Sequence, residues 1–106
     1  GIGSETGGGK ITLRDSTVIQ EFTGQTAIGI GSGDSAPTVS LRQCKASIHM
    51  EGNHAMDLGS FTEDASLTLL DSEFNIAIQS AKVQHFAANP DYLIQAGSTY
   101  EVSINR

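Results

Sequence analysis

Apolar and polar residues alternate along this chain in short bursts. Ile11 and Leu13 flank Thr12, Val39 and Leu41 flank Ser40, and Leu67 and Leu69 flank Thr68. A period of two places the apolar members of each burst on one side of a β-strand. A second series follows each burst: Val18 and Phe22, then Ala46, Ile48 and Met50, then Phe74, Ile76 and Ile78. A third carries Ile28 and Ile30, Met56 and Leu58, then Gln84 and Phe86. The turn-forming clusters ETGGG, GDSAP and FTED separate each third strand from the next first strand.

These bursts recur at one fixed interval, from residue n to residue n+28. Gly1-Ile2-Gly3-Ser4 returns as Gly29-Ile30-Gly31-Ser32 and, weakened, as Asp57-Leu58-Gly59-Ser60. KITLRDS at 10–16, TVSLRQC at 38–44 and SLTLLDS at 66–72 keep the same interval, as do Phe22-Thr23-Gly24, Met50-Glu51-Gly52 and Ile78-Gln79-Ser80. Three strands and three turns per repeat describe one coil of a β-solenoid. Stacked coils lie about 4.8 Å apart, so residue n sits over residue n+28 and like residues form ladders. Ile11/Val39/Leu67 and Leu13/Leu41/Leu69 are expected inside, with Thr12/Ser40/Thr68 outside. The expected fold is all-β: one right-handed parallel β-helix domain over 1–106, with rungs 1–28, 29–56 and 57–84 and a divergent cap at 85–106.

The interval fails from His85 onward. Pro90 interrupts, and Tyr92-Leu93-Ile94 and Tyr100–Ile104 read as two further strands around a turn at Ala96-Gly97-Ser98. The expectation for 87–106 is a hairpin-like or extended cap, because an open solenoid end exposes unpaired backbone. The N-terminal end shows no such segment; Gln20, where later rungs have Ile48 and Ile76, reads as a polar closure of the core.

Composition narrows the function classes. Only six Lys and Arg face twelve Asp and Glu, a net charge of −6, with no basic stripe; nucleic acid is not an expected partner. The longest apolar runs are a few residues, so no membrane insertion is expected. No charged segment leads into an apolar run as in an export signal. The opening Gly1 reads as the start of a trimmed or mature fragment, which leaves a removed signal open. Cys44 is the single cysteine, so no internal disulfide forms.

The turn Ala27-Ile28-Gly29-Ile30-Gly31-Ser32-Gly33 and the strand Ile11-Thr12-Leu13 resemble the repeats of bacterial extracellular parallel β-helix proteins. In particular they resemble proteins described as carbohydrate-binding domain-containing, with repeats of the type A-G-I-G-G-G followed by I-T-I-x-G-G-x-V. The likeness covers residues 1–72; Asp15-Ser16 and Gln43-Cys44 stand where that family has Gly-Gly. It implies an exported or surface protein with glycan contact.

Candidate chemistry must be weighed against ordinary solenoid turns. GSETGGGK suggests a phosphate loop, but Ser4 stands at its first Gly, Ile11 follows Lys10 and a strand comes next. Gly7 to Gly9 instead read as a corner of positive φ. Asp34, Glu63 and Asp64, with Glu5, would gather at one corner as weak oxygen ligands for a metal; a solvated acidic turn is the favoured reading. Arg14, Asp15, Arg42 and Asp71 stack at another corner. Carboxylates two rungs apart, with arginines to hold a uronate, are what a polysaccharide-processing enzyme would use, but Arg–Asp pairs on a solenoid rim are the favoured reading. His49, His54 and His85 read as solvated, and Cys44 as a small turn residue. Tyr92 and Tyr100 are the aromatics available to a sugar, or to packing over the open end.

The expected function is a non-catalytic structural or adhesive module of an exported or surface bacterial protein, in contact with polysaccharide and carrying no cofactor. A truncated β-helix polysaccharide lyase or hydrolase is one alternative. An assembly module, joining another chain through its solenoid ends, is the other.

Overall fold

The computed structural model describes residues 2–4, 9–33 and 35–106, with no side-chain description for Gly3 and Ser4. Among these residues there is no helix, only strands: β1 (Ile2–Ser4), β2 (Lys10–Arg14), β3 (Thr17–Ser32), β4 (Thr38–Arg42), β5 (Lys45–Ser60), β6 (Ala65–Leu70), β7 (Glu73–Gln84), β8 (Ala88–Ala96) and β9 (Thr99–Asn105). One sheet has the order β1-β3-β5-β7-β9 and the other β2-β4-β6-β8. Every pairing between these strands is parallel. The chain is a parallel β-solenoid.

The expected register is observed. Ile11 pairs with Val39 and Val39 with Leu67, Leu13 with Leu41 and Leu41 with Leu69. Val39, Leu41, Leu67 and Leu69 are fully buried, while Thr12 is exposed. The second and third strands of each repeat, which alternation alone separates, form one continuous 16-residue strand in β3 and β5. The core-packed side chains are five positions apart across this junction, as at Phe22 and Ala27 or Met50 and Ala55. An odd separation changes sides on a straight strand, so the strand turns at Gly24 and Gly52 to keep both rows inward. A Cβ at Gly52 would run into the carbonyl oxygen of Gly24 in the coil below; the corner is closed too tightly for a side chain.

Each coil thus has a first arm in the second sheet, then the two arms of the long strand. Between them lies one continuous core of Ile48, Ile76, Leu58, Ile30 and their neighbours. Burial of this kind contributes about 25 cal/mol per Å² of apolar surface. No single coil encloses it, so stability depends on the stack.

The C-terminal segment is divergent in spacing and extended, and it does not fold back as a hairpin. β8 lies parallel on β6 and β9 parallel on β7, so 88–105 makes the first two arms of a further coil. Residue n is matched there with residue n+26: Leu67 pairs with Leu93 and Glu73 with Thr99. A shortened corner sets Ala65 against Ala88, and a register shift between Ala65 and Leu67 recovers part of the lost length. Repeat identity is lost while stacking continues.

Candidate functional site

The corner after the first arm is built from two ladders. Asp15, Gln43 and Asp71 all have positive φ, 49°, 53° and 48°, and Gly97 continues them at 67°. Asp, Asn and Gly tolerate this conformation best, so the backbone itself explains much of the Asp15/Asp71 pattern. The amides of Asp15, Gln43 and Asp71 donate to the carbonyls of Arg42, Leu70 and Ala96 in the next coil, at 2.9–3.0 Å. Arg14 pairs in register with Arg42, both exposed, and Leu70 follows in the column. The structure therefore gathers Arg14, Asp15, Arg42 and Asp71 in adjacent columns. Among the described residues neither arginine forms an ion pair; the pairs present are Lys45–Glu73 at 4.0 Å and His85–Asp57.

The second ladder is Ser16, Cys44, Ser72 and Ser98. The Cys44 amide donates to Ser72 Oγ at 3.1 Å, and the Ser72 amide to Ser98 Oγ at 3.1 Å. Ser72 Oγ in turn donates to the Leu70 carbonyl at 2.8 Å, while Cys44 Sγ lies 3.3 Å from the carbonyls of Arg42 and Leu13. Cys44 is buried and acts as the thiol equivalent of the neighbouring hydroxyls.

Of the acidic-corner residues, Asp34 and Glu5 lie outside the described residues. Glu63, with φ of 63°, and Asp64 are exposed. Among the described residues no three His, Cys, Asp or Glu side chains converge as a metal site. Gly7 and Gly8 also lie outside the description. A Cβ at Gly9 would meet no atom of the described residues.

His85 is exposed as expected, while His49 and His54 are half-buried, and each has a partner. His49 contacts Ser47 Oγ at 3.4 Å on an outward column. His54 packs against Phe61 at a tilt of 31°, with ring centroids 4.1 Å apart, and bonds Gln84 Oε1 at 2.8 Å; Gln84 Nε2 then donates to the Phe61 carbonyl at 3.1 Å. His85 Nδ1 contacts Asp57 Oδ2. Asp57 is wholly buried, and its other oxygen accepts the amides of Leu58 at 2.6 Å and Phe86 at 2.7 Å. Sequence reasoning passed over this pair. Its signal was an Asp in the third coil where the earlier repeats have Gly, with His one interval beyond it in the same column.

The larger concave surface lies along the outside of the first arm of the long strands. It is an open trough of about 690 Å³ that crosses every coil, from Thr17 and Ile19 through Lys45 and Ser47 to Asn75 and Glu101. Its floor columns are set by the register Thr17–Lys45–Glu73–Thr99 and Ile19–Ser47–Asn75–Glu101. Tyr100 lines one end, its ring stacked on Phe74 at 5.4 Å and 9°. A smaller shallow depression continues along the same strands, from Glu21 and His49 to Gln79 and Asn105. Of the two tyrosines singled out as sugar platforms, Tyr100 belongs to the trough and Tyr92 does not. No family model matches the chain, and neither a curated protein nor a solved structure matches it.

Proposed function

We propose that this chain is a rigid structural module whose long-strand face is an adhesive surface for extended polysaccharide. The trough carries this reading. It offers hydroxyl, amide and carboxylate groups from Thr17, Ser47, Asn75, Thr99 and Glu101 at the coil spacing. Fixed, precisely spaced polar groups are what orients and selects a polar ligand. Parallel stacking holds those groups on backbone that cannot rearrange without breaking adjacent ladders, so little ordering entropy opposes binding. Glycan contact also accords with the extracellular repeats that the Ile-Gly-Ile-Gly turn resembles.

The test is binding to an array of neutral and acidic polysaccharides. Asn75→Ala and Ser47→Ala, both outward-facing in middle coils, should reduce binding several-fold, while Tyr92→Ala, outside the trough, should leave it unchanged. Absence of binding to every polymer, or equal loss in all three variants, would remove the proposal.

A further inference from the structure

We propose that the two ends of this solenoid bind each other, so that copies of the chain stack head to tail through β9 of one and the first arm of β3 of the next. The five large apolar side chains exposed among the described residues are Ile19, Tyr92, Ile94, Tyr100 and Val102. All five belong to the first or last coil, and none to the middle. At the last coil Tyr100 and Val102 sit in the inward columns above Phe74 and Ile76, yet are 37% and 38% exposed, with no strand above them among the described residues. At the first coil Ile11, Leu13 and Phe22 are only partly buried although their columns are core.

The partner that fits is a second copy, because every internal contact between coils already shows one turn of this chain seated on the next. Continuing the ladders by one step sets Tyr100 over Val18, Val102 over Gln20 and Ile104 over Phe22 of the neighbour. On the outside, Thr99 meets Thr17, Glu101 meets Ile19 and Ser103 meets Glu21. None of these columns opposes like charges. Gln20 adds an independent mark: its Nε2 donates to the Gly29 carbonyl at 3.3 Å, but its Oε1 is buried without a hydrogen-bond partner among the described residues.

The edges are also matched in where they are open. On the first arm, β8 carries Pro90 and a register shift, and β2 is flanked by Lys10 and Arg14. Proline and basic residues on an edge discourage strand addition. On the long-strand side β9 has no proline, and its pairing with β7 runs without a shift. Contact is therefore directed to β9 and β3. A head-to-tail contact uses two different patches, so it does not close on itself and gives an open series of oligomers.

The experiment is analytical ultracentrifugation of wild type, Val102→Lys and Gln20→Lys over a concentration series, with circular dichroism to confirm folding. Wild type should show mass rising without a limiting size. Each variant alone should be monomeric, since one end is blocked, and an equimolar mixture should form a species that stops at the dimer. Should Gln20→Lys not fold, Ile19→Glu replaces it: that side chain is 73% exposed, and the substitution sets a second carboxylate against Glu101 of the neighbour. A wild type that stays monomeric at every concentration would overturn the proposal. So would a Gln20→Lys chain that still dimerises alone, because that result means β9 pairing with its own copy. Ser47→Ala and Asn75→Ala lie in middle coils and should leave assembly unchanged, which separates this outcome from that of the glycan test.

Discussion

At the residue scale the energetically exposed points are buried polar groups that depend on one partner in the adjacent coil. Asp57 is the clearest: one carboxylate serves the buried amide of Leu58, the half-buried amide of Phe86 and His85. Asp57→Ala leaves the amides of Leu58 and Phe86 without an acceptor, at about 1–3 kcal/mol each. Urea unfolding should therefore show a loss of about 2 kcal/mol or more. A loss below about 0.5 kcal/mol, the range of an ordinary surface substitution, would mean that water replaces the carboxylate. The Ser–Cys–Ser ladder gives a paired prediction. Ser72→Ala removes the acceptor of the buried Cys44 amide and should lower stability by about 1–3 kcal/mol. Cys44→Ser keeps a donor of similar size aimed at the same carbonyls, and its thermal midpoint should stay close to that of wild type.

At the scale of elements, the tight corners dictate which residues repeat. Gly31 and Gly59 have φ of 142° and 121°, and a Cβ at either would strike the backbone of the coil above, at Gly59 and Ala87 respectively. Gly59→Ala should therefore cost more than about 2 kcal/mol, whereas Gly9→Ala should be neutral; equal midpoints for the two in chemical denaturation would contradict the close coil spacing. The same corners explain what was legible beforehand. Ladders such as Leu13/Leu41/Leu69 keep their residue type because stacking imposes the same environment on each rung. Continuity across Gly24 was not legible, because a bend within a strand and a break between two strands leave the same mark on alternation. The last coil was hidden for another reason. Its shortened corner and register shift change the interval from n+28 to n+26, and Pro90 argues locally against a strand. Asp57 and His85 were missed because the repeat is weakest there, and a polar residue replacing Gly looks like decay of the pattern.

For the whole molecule, the core is built of stacked coils, and the overall extents are 30 × 27 × 21 Å. Its sides are satisfied by ladders, and among the described residues the exposed large apolar side chains belong to the first and last coils. The sugar-binding and end-stacking proposals meet at Thr17, Thr99 and Glu101, where the trough reaches the first and last coils, and both require that residues one interval apart stand directly over one another. That requirement is tested most directly by nitroxide pairs on outward positions, in a Cys44→Ser background. Labels at Ser40 and Thr68 should show strong dipolar broadening, with backbone attachment points about 4.8 Å apart. Labels at Thr12 and Thr68 should broaden less, from about 9.6 Å by the same spacing. Labels at Thr68 and Ile94 should match the first pair, since β8 lies on β6 in parallel. A Ser40–Thr68 pair that shows no broadening would contradict the parallel stack.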